Sequence, residues 1–189
     1  MYNPKFDGSE EMWDQYCKDK VAVVEYIMSR DPKINRIGEI GVYAGYGAIA
    51  IMEAAKGTHY YGWDILSDDS VELKYANSLL RGKMKRNPWD YVIYFSSDTQ
   101  CLNELHKGNL DLLHVDGDHR PAACYHDMQL AYKAIRNNGW IVVDDYNESI
   151  VQDGVDFWVQ KHKGSIRHEH FMPGITGNYI IQIGEVYGI

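Results

Sequence analysis

Apolar residues recur along this chain in short runs, several of which close on a glycine turn or on acids, and between those runs they recur at helical spacing. The runs are Arg36 to Val42 (RIGEIGV), Thr58 to Ile65 (THYYGWDI), Tyr91 to Ser97, Leu110 to Asp118, Trp140 to Tyr146, Ser165 to Phe171 and Asn178 to Val186. Runs of this length, rich in β-branched and aromatic residues and bounded by turn formers, predict strands. Between them, Val21, Val24 and Met28 fall at i, i+3 and i+7 on a helix that Asp31-Pro32 ends. AIAIMEAAK and QCLNELHK read as further helices, and Asp69 with Glu72 reads as a capping box opening a helix through Leu80. Cys124, Met128, Ala131 and Ile135 share one face of a helix that Asn137-Asn138-Gly139 closes, and Ser149-x-x-Gln152 opens a last one with Val151, Val155, Trp158 and Val159 inward. The alternation, ending in two strands joined by MPGITG as a turn or mobile flap, predicts a three-layer α/β fold with a mostly parallel sheet. We expect one domain over 1–189, with 1–35 as an N-terminal helical cap.

The stretch RIGEIGVYAGYG places Gly41, Gly45 and Gly47 between a strand and a helix start. Glycines there let a ligand approach the backbone, and the helix N-terminus offers unpaired N–H groups. The spacing G-x-x-x-G-x-G is neither the G-x-G-x-x-G of dinucleotide binders nor a phosphate-cradling loop, which disfavours a nicotinamide oxidoreductase. Glu39, two residues before the first glycine, would repel a pyrophosphate and favour a cation. S-adenosylmethionine (SAM), a sulfonium and ammonium attached to a nucleoside, is such a ligand. Asp64 closes the second strand 23 positions past Gly41, where α/β nucleotide sites place the partner of the ribose hydroxyls.

Charge and composition narrow the function further. The 189 residues carry a net charge of −8, which argues against a nucleic-acid partner, and KMKR near Arg86 reads as a solvated helix end. No apolar run approaches the roughly 20 residues that span a bilayer, and MYNPKFDGSEEMWDQY is too polar for a signal peptide, so we expect a cytoplasmic protein without a membrane partner. Cys17, Cys101 and Cys124 have no metal-ligand spacing and fit a reducing compartment.

Two apolar strands end in acids: LDLLHVDGDH delivers Asp116, Asp118 and His119, and WIVVDDY delivers Asp144 and Asp145. If the strands are neighbours, these acids meet at the edge where open α/β sheets hold ligands. Converging carboxylates are unfavourable without a cation, so Asp116, Asp144 and Asp145 read as hard oxygen ligands for a divalent ion such as Mg²⁺.

E-I-G-V-Y-A-G-Y-G, Glu39 to Gly47, resembles the first motif of class I SAM-dependent methyltransferases, in the form found in cation-dependent O-methyltransferases of the catechol and caffeoyl-CoA type. DGDH followed by DDY, with 28 positions from Asp116 to Asp144, looks most like the branch acting on sugar hydroxyls of natural-product glycosides. The resemblance covers residues 36 to 187. It implies a Rossmann-like seven-stranded sheet in the order 3-2-1-4-5-7-6 with an antiparallel last strand, and methyl transfer from SAM to a hydroxyl oxygen of a sugar or phenol with Mg²⁺ assistance. It implies cofactor contacts from Glu39, Gly41, Tyr43, Gly45, Gly47, Asp64 and Asp116, with Ser97 and Asp98 against the adenine. It places His119 where the family carries its general base, with Asp116 beside it in catalysis, and it sets Trp13 and Tyr16 near the substrate. The rival readings are a noncatalytic SAM-binding module and a methyltransferase on nitrogen or protein that needs no metal. The amino-methyltransferase signature after the fourth strand is absent, the sequence there being Asp116-Gly-Asp-His. Short flanks leave room for a second subunit to complete the acceptor pocket.

Overall fold

The run Leu110–Val115 is buried at every position, and it forms the centre of a seven-stranded sheet. A computed structural model of the chain describes residues 10–66, 69–84, 90–95 and 109–185. Its strands are β1 (Arg36–Ile40), β2 (His59–Asp64), β3 (Asp90–Phe95), β4 (Leu110–Val115), β5 (Ile135–Val143), β6 (Ile166–Met172) and β7 (Asn178–Ile183). They lie in the order β3-β2-β1-β4-β5-β7-β6, the order the sequence reading expects. Neighbours from β3 to β5 pair in parallel, and β7 runs antiparallel to both β5 and β6.

Period-2 alternation along the central strands fills two cores, one on each sheet face. Ile37, Tyr60, Leu112, Val142 and Ile180 pack with α1 (Glu10–Met28), α2 (Tyr46–Ala54) and α3 (Val71–Met84). Ile40, Trp63, Leu113, Val115, Val143 and Ile181 pack with α4 (Pro121–Ala134) and α5 (Ser149–His162). Both strand faces are therefore apolar, which is why the strands read as continuous hydrophobic runs. Trp158 is fully buried in the second core, where truncation to alanine would cost about 3–5 kcal/mol.

The helix expected through Met28 is α1, Glu10–Met28, with Trp13, Tyr16 and Lys20 on one side of it. Three local expectations are corrected. The opening of α3 is held by Ser70, whose hydroxyl accepts from the Leu73 N–H, while Asp69 instead pairs with Lys74 in solvent. Asn137-Asn138-Gly139 does not close a helix. α4 ends at Ala134 and β5 starts at once, with Asn138 at φ 62 and an irregular β4–β5 register between Leu110 and Leu112. α5 lacks the expected Ser149 cap: Glu148 precedes it without a side-chain bond to the helix end, and the Gln152 amide donates to the Tyr146 carbonyl.

Parallel pairing brings the C-terminal ends of β1, β2, β4 and β5 to one edge, with the N-terminus of α2 facing it. Among the described residues no helix is long and apolar enough to cross a membrane.

Candidate functional site

The glycine loop is built by close backbone approach. Gly41 at φ +88 donates its N–H to the Trp63 carbonyl, and a Cβ there would lie 1.8 Å from the Asp116 carbonyl oxygen, so only glycine fits between β1 and β4. A Cβ at Gly47 would meet Glu39 Oε1 at 2.7 Å, and Gly45 caps α2 in the left-handed region. Between Gly41 and Gly45, Tyr43 takes φ 45, unusual for a tyrosine, and its N–H donates to Asp64 Oδ2 at 2.7 Å. Asp64 Oδ1 accepts from the Leu66 N–H, also at 2.7 Å, so the carboxylate organises both the loop and the turn after β2.

These residues line a cavity of ≈ 740 Å³ together with Trp13 and Tyr16 of α1, Asp116, Gly117 and Asp118 after β4, His126 and Asp127 of α4, Asp145 after β5, and Ile175 and Thr176 of the β6–β7 loop. Trp13 stacks on Tyr46, the first residue of α2, with ring centroids 4.9 Å apart. The MPGITG loop is anchored: the Ile175 N–H donates to Asp19 Oδ2, the Thr176 hydroxyl donates to Asp144 Oδ1, and Gly177 accepts from the Tyr146 N–H.

Beneath the cavity lies a buried polar network. Glu39, 1 % exposed, accepts from the Tyr60 hydroxyl and lies 3.3 Å from His114 Nδ1. His114 Nε2 is 2.6 Å from the ammonium of Lys20, itself 1 % exposed, which pairs with Asp144 and lies 3.9 Å from Asp116 Oδ2. Tyr16 donates to Asp116 Oδ2 at 2.8 Å. Burial and then the neighbouring Asp144 carboxylate push Asp116 well above the ordinary range, with Lys20 opposing. Burial would raise Asp144 too, but Lys20 and His114, with hydrogen bonds from Lys20 and Thr176, hold it below that range. Asp145, at φ 53, is pushed up to about 6 by burial and by Asp144. Burial followed by the charge of Asp118 lifts Asp127 to about 6 as well.

Glu39, Gly41, Tyr43, Gly47, Asp64, Asp116 and Asp145 thus come together around one cavity, with Gly45 of the same loop against Ala76 of α3. Ser97 and Asp98 lie outside the described residues. His119 meets the cavity only through Asp145: its Nε2 is 3.1 Å from Asp145 Oδ2 and its Nδ1 3.0 Å from Glu148 Oε2. The three-aspartate metal set does not fit, because both Asp144 oxygens are engaged, one by Thr176 and one by Lys20. Asp116, Asp145 and His119 do bring ligand atoms within 4.8 Å of one another, but this is a mixed nitrogen and oxygen set unlike the all-oxygen cage that suits Mg²⁺. Lys20, His114 and Thr176 were missed by sequence reasoning. Lys20 had a signal, since it falls on the same helical stripe as Val23, Val24 and Ile27, where a lysine is out of place.

Residues 39–146 match the family described as "Methyltransferase domain". An uncharacterized protein of Acanthamoeba polyphaga mimivirus is 29% identical over 154 residues, covering 78% of this chain and 69% of that protein. Among solved structures, the O-methyltransferase TomG from Streptomyces achromogenes, involved in tomaymycin synthesis and in complex with SAM, superposes with a TM-score of 0.66 at 18% identity, covering 96% of this chain and 83% of that one. An O-methyltransferase from Bacillus cereus in complex with SAH (S-adenosylhomocysteine) gives 0.65 at 16% identity, covering 95% and 84%.

Proposed function

The chain belongs to the methyltransferase-domain family, and from that premise we propose that it transfers a methyl group from SAM to a hydroxyl oxygen of a small molecule, a sugar or a phenol. The observation that carries the reading is the convergence of Glu39, the glycine loop and Asp64 with Asp116 and Asp145 on a single cavity, whose size suits a small-molecule site of about 300–1,000 Å³. Structural neighbours holding SAM or SAH support the cofactor assignment.

SAM binds with its methionine ammonium toward Glu39 and its ribose hydroxyls on Asp64. Each Asp64 oxygen accepts one backbone N–H and keeps a lone pair for the ribose. The sulfonium methyl then faces the acid end of the cavity. In the reaction the acceptor oxygen attacks the methyl carbon in line with the departing sulfur. The S–CH₃ bond breaks as the O–CH₃ bond forms, the sulfonium becomes a neutral thioether, and the hydroxyl proton leaves to a base. The Asp145–His119 pair takes that proton: Asp145 lines the cavity, its elevated affinity for a proton makes it a better base than an ordinary aspartate, and His119 sits on its Oδ2. Asp116, held by Tyr16, orients the acceptor. With both Asp144 oxygens engaged, the aspartate trio offers no complete divalent-ion site, and Asp145, His119 and Asp116 handle the proton and the acceptor.

Calorimetric titration of SAM, then of SAH, tests the reading. Saturable one-to-one binding of both is expected, and its absence would overturn the function.

A further inference from the structure

Three acids, Glu39, Asp116 and Asp144, converge below the cavity at the ends of β1, β4 and β5, and α1 delivers one lysine into their midst. Lys20 has 1 % of its surface exposed, and an ammonium removed from water to that degree is strongly unfavourable unless anions surround it. Here they do. Its Nζ contacts Asp144 Oδ2, lies 3.9 Å from Asp116 Oδ2 and 2.6 Å from His114 Nε2, and sits 4.8 Å from the centroid of the Tyr16 ring. Tyr16 and Lys20 are one helical turn apart on α1, so the same face delivers a hydroxyl and a charge to Asp116. A divalent ion shared by Asp116 and Asp144 would need the space that the Lys20 Nζ fills.

We propose that the Lys20 ammonium is the resident cation of this acid cluster, taking the place of a divalent ion, so that methyl transfer by this chain proceeds without Mg²⁺. The inference rests on the methyl-transfer reading and deepens it. Lys20 does not line the cavity, so it is a positioning residue that acts through Asp116 and Asp144. Two adjacent carboxylates cannot both stay ionised without a counter-charge. Lys20 supplies one from within the fold, at a fixed position and with no dependence on the ion concentration outside.

The experiment uses the full chain after dialysis against EDTA. SAM titration comes first, since a chain that does not bind SAM fails the methyl-transfer reading whatever its response to metal. Mn²⁺ binding is then counted by electron paramagnetic resonance on the wild type and on Asp116→Asn, an acid common to the Glu39–His114–Asp116 and Asp116–His119–Asp145 groups whose ligand atoms lie within 4.8 Å of one another. The expected result is the same number of bound ions for the two proteins. One more ion on the wild type overturns the inference, as does wild-type turnover of any hydroxyl acceptor that stops in EDTA and returns with Mg²⁺. Lys20→Ala opens space beside Asp116, Asp144 and His114 and should gain a Mn²⁺ site, raising its melting temperature by about 5–10 °C at a hundredfold excess over the dissociation constant. Lys20→Arg keeps the charge and should gain none. A purely structural lysine would give Lys20→Ala no such gain. If Lys20→Ala does not fold, the wild-type comparison decides alone.

Discussion

Removing the Asp64 carboxylate should act in two ways that can be measured apart. Within the protein, Asp64 accepts the Tyr43 and Leu66 N–H groups at 2.7 Å each, and it is buried. Hydrogen bonds to a charged group contribute roughly 1.5–3 kcal/mol each, so Asp64→Ala should destabilise the fold by about 3–6 kcal/mol. For a chain of this length that is a fall of about 6–24 °C in melting temperature. Toward the ligand, the loss of the ribose partner should weaken SAM by a further ~1–3 kcal/mol, roughly 5–150-fold. The two effects separate in a cycle that titrates SAM and its 2′,3′-dideoxy analogue into the wild type and into Asp64→Ala by calorimetry. If Asp64 holds the ribose, the wild type prefers SAM by that factor and the variant binds both ligands equally, because the two deletions remove the same bonds. If Asp64→Ala weakens both ligands alike and keeps the preference, the ribose reading is refuted and the residue serves only the loop.

Three further outcomes are expected. Gly41→Ala should lose at least about 3 kcal/mol in urea unfolding, because the new Cβ would lie 1.8 Å from the Asp116 carbonyl oxygen in a backbone held at φ +88; a near-native midpoint would show that the β1–β4 edge can yield. Tyr60→Phe leaves a buried oxygen of Glu39 without its donor and should destabilise by about 1–3 kcal/mol, read from the same urea curves, with an unchanged curve counting against that network. Asp127, raised to about 6 from an ordinary value near 3.8, holds its proton more tightly folded than unfolded, so its contribution to stability is present at low pH and is lost as pH rises through about 4 to 6. Asp127→Asn should flatten that slope by up to about 3 kcal/mol, and parallel wild-type and variant stability curves between pH 4 and 6.5 would sink the reasoning.

Most of the scaffold could be read from the chain because its strands are buried on both faces and stop at residues with plain meaning: glycine after β1, acids after β2, β4 and β5. The side of the cavity lined by Glu39, Gly41 and Asp64 was legible for the same reason, since strand ends alone place these residues. Local helix boundaries were less so. Ser70 rather than Asp69 holds the start of α3, a one-residue difference that composition does not resolve. Asn138 and Gly139 carry the mark of a helix stop but serve an irregular strand, where a Cβ at Gly139 would lie 2.4 Å from an Ile135 methyl. The lysine within the acid cluster was not legible. Asp116, Asp144 and Asp145 do converge, but the cation that answers Asp144 arrives on α1, far away in sequence, and its meeting with His114 and Asp144 depends on how α1 packs across the sheet. No local spacing encodes that meeting.

Methyl transfer itself is tested most directly with SAM carrying an isotope-labelled methyl group, incubated with the chain and a panel of phenols and glycosides and read by nuclear magnetic resonance alongside SAH release. The expected product is a labelled methoxy carbon, formed together with SAH and only when a hydroxyl acceptor is present. A label found on nitrogen, or SAM that binds and is never consumed across the panel, would contradict oxygen methylation by this site.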